Sequence, residues 1–225
     1  MSESAADRVI EAIKTMIKLG DLVPGQRLVE VEIAQMLSVS RQSIRQAFAA
    51  LEAEGVISIE RHRGARVRRY SASEVVALHQ IREVLEGLAA FLVAERAVSD
   101  PSIVKRLAQI HKSAGKAAAA GDLPSYSDWN ARLHEEIIVQ CGNSEISKHI
   151  SQANLAYFRL QRPLFVPDDL IRSHRQHEAI VDAIAEGRAA LAERLMRSHI
   201  RSSRDVMLRA MRSAPDFSRK VAVNS

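Results

Sequence analysis

Leu37-Ser38-Val39-Ser40-Arg41-Gln42-Ser43-Ile44-Arg45-Gln46-Ala47-Phe48 is the stretch whose reading settles the N-terminal third of the chain. Ser38-Val39-Ser40 makes a tight connection, and the Ser40 hydroxyl can accept a hydrogen bond from the unpaired amides of a helix that starts after it. Ile44, Ala47, Phe48 and Leu51 recur at helical spacing and give that helix an inward face. Gly55 supplies its stop. Upstream, Val31 to Leu37 reads as a short helix with Ile33, Ala34 and Leu37 inward, and Asp7 to Leu19 as an amphipathic one with Val9, Ile10, Ile13 and Ile17 on one face. Gly20-Asp21 and Pro24-Gly25 punctuate the chain between them. Downstream, Val56-Ile57-Ser58-Ile59 alternates and is β-prone, Arg61-His62-Arg63-Gly64 turns, and Ala65-Arg66-Val67 returns as a partner strand. Three helices and a small hairpin, in that order, spell a winged helix-turn-helix.

From Ser73 onward the pattern is helical throughout, with helices expected near 73–97, 101–120, 123–141, 144–162, 167–186 and 188–213. Aromatics are scarce (4%), while Ala and Leu are plentiful, a balance that favours helices over a sheet sandwich. The expected fold is mainly α. Residues 1–70 form the winged helix-turn-helix, and residues 71–225 form an antiparallel bundle of about six helices. No apolar run is long enough to span a membrane, and Met1 to Arg8 lack the apolar middle of a secretory signal. Cys141 is the only cysteine, so no internal disulfide can form and a reducing cytosol is the simplest home.

Charge points the same way as the fold. The net charge is +5, and residues 40–70 alone carry seven arginines against three acids, a block suited to phosphates as well as to a solvated surface. If the third helix enters a major groove N-terminus first, Arg41, Gln42, Ser43 and Arg45 fall in its first two turns, opposite the apolar face. Arginine pairs bidentately with guanine and glutamine with adenine. Ser40 and the helix N-terminus can hold a phosphate, and Arg63 and Gly64 form a wing tip able to approach the minor groove.

Residues 8–68, from Leu28-Val29-Glu30-Val31-Glu32-Ile33-Ala34 through Leu51-Glu52-Ala53-Glu54-Gly55-Val56-Ile57 and including Gly20-Asp21-Leu22-Val23-Pro24-Gly25, resemble the GntR family of winged-helix regulators. The resemblance implies operator contacts at Arg41, Arg45 and the wing Gly64. This chain departs from the common pattern at Gln42-Ser43, at Gln46 and at Val31, where relatives carry Thr-Pro or Thr-Thr, Glu, and in some cases Arg. These departures bear on which operator is read, not on the fold.

In the helical part, Asn130 and His134 share a helical face, His177 lies on the stripe of Ile180, Val181 and Ile184, and His199 follows Leu195 and Met196. Three helices can therefore aim imidazoles into one interior, where bundles build metal and ligand sites. An Asn four residues before a first His, then two His 22 apart, with Gly142-Asn143 and His177-Glu178-Ala179-Ile180 alongside, resembles the FCD effector-binding domain of GntR regulators. That resemblance implies a divalent metal, zinc first with nickel or manganese as alternatives, on Asn130, His134, His177 and His199. Asn130 is the weak ligand, since a neutral amide brings no charge to the cation. Arg82 and Glu86, four apart, read equally as an ion pair or as a receptor for an effector carboxylate at Arg82. The function expected is a non-enzymatic, metabolite-responsive repressor: a homodimer on a palindromic double-stranded DNA operator, controlled by a small organic acid. Two alternatives compete with it, a metalloenzyme built on the three histidines and a regulator whose second domain is metal-free and purely structural.

Overall fold

A capping box sets where the chain first becomes regular. In the computed structural model, which describes residues 4–60, 64–152 and 167–213, the Asp7 amide donates to Ser4 Oγ at 3.1 Å and the Ser4 amide to Asp7 Oδ2 at 3.0 Å. These reciprocal bonds satisfy amides that an uncapped first turn leaves bare. Helix α1 (Ala5–Leu19) therefore starts two residues ahead of the expected Asp7 and buries Val9, Ile13 and Ile17. Helices α2 (Glu30–Leu37) and α3 (Arg41–Ala53) follow. Their connection turns at Ser38, which takes a left-handed φ of 52° and sends its amide back to Ala34 and Gln35. Ser40 caps α3 as expected, accepting from the Ser43 amide at 3.1 Å.

The hairpin consists of β2 (Ile57–Glu60) and β3 (Gly64–Val67), with Ile57 opposite Val67 and Glu60 opposite Gly64. Gly64 holds a φ of 78°, a conformation that a β-carbon would strain. A third strand, β1 (Arg27–Leu28), pairs antiparallel with the other edge of β3 and makes β3 central. Two residues are too few to show alternation, so the sequence pattern did not reveal it. The anticipated wing residues 61–63 lie outside the described residues.

Described residues divide into two compact units between Tyr70 and Ser71. The second is helical: α4 (Ala72–Ala97), α5 (Pro101–Ala119), α6 (Leu123–Gln140), α7 (Ser144–Gln152), α8 (Pro167–Ala185) and α9 (Ala189–Ser213). The helix anticipated over 144–162 is described as far as Gln152; the rest of that span lies outside the described residues. Helix α4 packs along α9 and touches α5, α6, α7 and α8. At Gly87 it comes so near α9 that a β-carbon would lie 2.8 Å from Arg197 Cγ. Around α4 the core closes with Val93, Ile103, Leu107, Leu133, Ile137, Ile180 and Ile184, all 0–1% exposed. Each such side chain contributes about 1.5–3 kcal/mol by leaving water. This packing holds the inward polar residues of α4, α6, α8 and α9 at fixed separations.

Candidate nucleic-acid interface and metal centre

On α3 the burial splits cleanly. Ile44, Ala47, Phe48 and Leu51 are buried, while Arg41, Gln42 and Arg45 are exposed on the other side and Ser43 is half-buried. The helix carries no acid in its first turn, so its N-terminal partial positive charge is not cancelled locally. The Ser40 hydroxyl serves as the cap and also lies 2.9 Å from Ser43 Oγ. Arg45 Nε rests 3.3 Å from Glu30 Oε2 with its side chain 72% exposed, a loose surface pair that a phosphate or base can displace.

The basic block seen in the sequence does not act as one surface. Arg66 donates to the Gly25 carbonyl at 3.1 Å, Arg69 to the Pro24 carbonyl at 3.5 Å, and the Arg68 guanidinium lies 4.6 Å from the Tyr70 ring centre. These three brace the Pro24-Gly25 turn and the end of the unit. Arg61 and Arg63 lie outside the described residues. In their place the structure presents Arg27, exposed on β1, whose Nε lies 4.0 Å from where a β-carbon of Gly64 would stand. Sequence reading missed it because it lies far ahead of the wing in the sequence and joins β3 only through the β1–β3 pairing.

In the helical unit, His134 (α6), His177 (α8) and His199 (α9) come together, one ring nitrogen of each within 4.8 Å of the others, all three buried. Ring centres lie 4.4 to 5.3 Å apart, and Nε2 of His177 is 3.1 Å from Nε2 of His199. Two of the three rings are oriented from outside. His134 Nδ1 donates to Glu86 Oε2 at 2.5 Å, and His199 Nδ1 donates to Gln176 Oε1 at 3.0 Å. Donation through Nδ1 leaves the Nε2 lone pair of each ring facing the cluster, the tautomer that metal ligation requires. His177 Nδ1 is buried with no hydrogen-bond partner among the described residues, a cost that a purely structural core histidine has reason to avoid.

Burial, first, and the neighbouring imidazoles, second, hold His177 and His199 well below the ordinary histidine pKa of 6.5. Both rings are thus neutral near pH 7, with lone pairs available. Two nitrogens bound at about 2.0–2.1 Å to one tetrahedral zinc would sit about 3.3–3.4 Å apart, close to the 3.1 Å between Nε2 of His177 and Nε2 of His199. By donor type, tautomer and spacing, the three histidines fit a divalent cation.

Asn130 is half-buried, one turn before His134 on α6, and no hydrogen bond joins its amide to the imidazoles among the described residues. Arg82 is 4% exposed and its Nε donates to Glu86 Oε1 at 2.7 Å. The i,i+4 pair therefore exists, but buried, and its carboxylate is shared with His134. Glu86 and Gln176 are thus orienting residues: only the i,i+4 spacing hinted at the first, and nothing in the sequence at the second. His174 does not join the centre. It stacks on His111 with ring centres 4.1 Å apart, packed close against Gly115.

Comparison with known proteins agrees with both halves. A family model described as FCD domain matches residues 77–202, and one described as bacterial regulatory proteins, gntR family, matches residues 5–67. The HTH-type transcriptional regulator LutR of Bacillus subtilis is 27% identical over 216 residues, covering 85% of this chain and 96% of that protein. A probable D-xylose utilization operon transcriptional repressor of Paenarthrobacter nicotinovorans is 29% identical over 203 residues, covering 88% and 86%. Among solved structures, E. coli McbR/YncC superposes with a TM-score of 0.79 at 18% identity, over 94% of this chain and all of that one. A putative GntR regulator from Rhodococcus sp. RHA1 gives 0.75 at 23%, over 93% and 99%.

Proposed function

Since the chain belongs to the gntR family of bacterial regulatory proteins and carries an FCD domain, we propose that it represses transcription in response to a small organic acid sensed at the three-histidine centre. Family and relatives are transcriptional regulators, not enzymes, which sets the metalloenzyme reading aside. The observation that carries the finer reading is the pairing, in one chain, of an exposed Arg41-Gln42-Arg45 face with three buried imidazoles whose ring nitrogens converge.

In this reading α3 lies in the major groove. Arg41, Gln42, Ser43 and Arg45 face base edges, and Ser40 with the α3 N-terminus takes a phosphate. Gly64 lets the chain turn at the start of β3, and Arg27 adds a cation beside it. A homodimer on a palindromic operator is supported by Ile81, Val84 and Leu88. Spaced three and four residues apart on α4, they are 43%, 51% and 38% exposed, an apolar stripe suited to a second copy of itself.

A divalent cation on His134, His177 and His199, with Asn130 beside them, would supply a Lewis-acidic position for an oxygen of the effector. Glu86 keeps His134 oriented and fixes the Arg82 guanidinium, the cation that an effector carboxylate would meet in this reading. Effector occupancy alters operator affinity only to the extent that it binds the DNA-competent and DNA-released forms unequally. The relative described as a xylose-operon repressor favours repression.

Footprinting on the upstream region of its own gene tests the proposal. Two protected half-sites about one helical turn apart are expected, with metal present in the purified chain and lost in His134→Ala. A single unpaired half-site contradicts the dimer, and equal metal content in the two chains removes His134 from the centre.

A further inference from the structure

Between α8 and α9 the surface opens into a cleft of about 840 Å³, within the range of small-molecule sites. It runs along the two helices that supply His177 and His199, and His199 is itself one of its lining residues. Its charged lining sets three arginines, Arg172, Arg175 and Arg209, against two aspartates, the exposed Asp168 and the buried Asp169. Asp169, whose side chain is 2% exposed, is gripped by Arg172 and by Arg209, whose Nη2 reaches both carboxylate oxygens at 2.8 and 2.9 Å. One buried carboxylate thereby anchors two half-exposed guanidiniums, and the trio keeps a net positive charge.

A turn further along α8, Arg175 also lines the cleft and is exposed, with no ion-pair partner among the described residues. Beside it, Gln176 has its amide oxygen engaged by His199 Nδ1, which leaves its NH2 as a donor; Ser198 adds a hydroxyl from α9. Ile171, Ala179 and Leu195 supply apolar wall. Donors on one side and hydrocarbon on the other suit an oxyanion head on a short aliphatic body.

We propose that this cleft binds a small organic anion, carboxylate or phosphate, at Arg175 and the Gln176 amide, and that through Gln176 the bound anion tightens the hold of the histidine centre on its cation. Gln176 is the physical link, because its oxygen orients His199 while the residue itself lines the cleft and keeps its NH2 as a donor. An anion that fixes the amide fixes the imidazole, and a better-held imidazole is a better ligand. By linkage, the cation must tighten the anion equally. The first half of the proposal stands without a metal, and the second rests on the metal reading of the centre.

The experiment uses the full chain stripped with a chelator and titrated calorimetrically with succinate and, separately, with inorganic phosphate. At least one is expected to bind, with affinity about tenfold weaker in Arg175→Ala, the loss of one charge-assisted contact, and unchanged in His134→Ala. Binding of neither anion, or equal binding in Arg175→Ala, overturns the site, and which anion binds identifies the head group. Zinc affinity is then measured by chelator competition with and without the anion. A severalfold rise is expected in the unaltered chain and none in Gln176→Leu. An unmoved zinc affinity overturns the coupling. Failure of zinc to bind under any condition overturns the metal reading and leaves the anion titration to stand by itself.

Discussion

Oε2 of Glu86 lies 2.5 Å from Nδ1 of His134, both side chains 1% exposed, across 48 residues of sequence. The same carboxylate holds Arg82 through its other oxygen. One acid thus neutralises a buried guanidinium and fixes the tautomer of a proposed ligand. Glu86→Gln keeps the shape and removes the charge. Stability is expected to fall by about 3–5 kcal/mol, as when one member of a buried ion pair is lost, and metal affinity by about 10–100-fold. Denaturant titration and chelator competition read the two effects separately; a variant that loses stability and keeps full metal affinity shows that Glu86 is structural only.

Asn130 is the one proposed ligand that offers an amide oxygen in place of an imidazole nitrogen. Asn130→Asp is expected to tighten metal binding, since a carboxylate brings the cation a negative charge. Unchanged affinity would place Asn130 outside the coordination shell.

Arg41 and Arg45 are expected to read bases, and Arg27 to meet phosphate. Arg41→Ala or Arg45→Ala should each cost about 1–3 kcal/mol on the cognate site and relax preference at one position. Arg27→Ala should weaken all duplexes alike and reduce the slope of log affinity against log salt by about one. Titrations at several salt concentrations distinguish the two behaviours, and a sequence-dependent loss in Arg27→Ala would reverse its assignment.

His79 gives the helical unit an acid sensitivity of known sign. It is 2% exposed, its Nδ1 is 2.8 Å from the Val75 carbonyl, and burial, reinforced by the Arg82 and Arg204 charges and opposed by Glu86, lowers its pKa to about 4. Above pH 6.5 it is neutral folded and unfolded, and contributes no pH dependence. As pH falls from 6.5 toward 4, the unfolded chain takes up a proton that the folded chain refuses, and stability drops by on the order of 3 kcal/mol before levelling. His79→Gln should remove that share of the slope. An identical pH profile for the two chains would show that His79 titrates normally.

Much of this was legible in the sequence, for local reasons. Ser40 followed by the Ile44-Ala47-Phe48-Leu51 spacing is enough to define a capped helix, and the positions of His177 and His199 on apolar stripes already aimed them inward. What stayed hidden depends on contacts between distant segments. The Glu86–His134 and Gln176–His199 bonds join different helices, and β1 exists only because β3 offers it an edge. The fate of the arginine block was equally unreadable, since Arg66 and Arg69 are spent on carbonyls some forty residues away.

The most direct measurement is a competition between the upstream region of its own gene and a random duplex of equal length, at physiological salt. A regulator that reads bases through α3 should prefer the upstream region by roughly a thousandfold or more and lose that preference when Arg41 and Arg45 are both replaced by alanine. Equal affinity for the two duplexes, or a preference untouched by the double replacement, would contradict it.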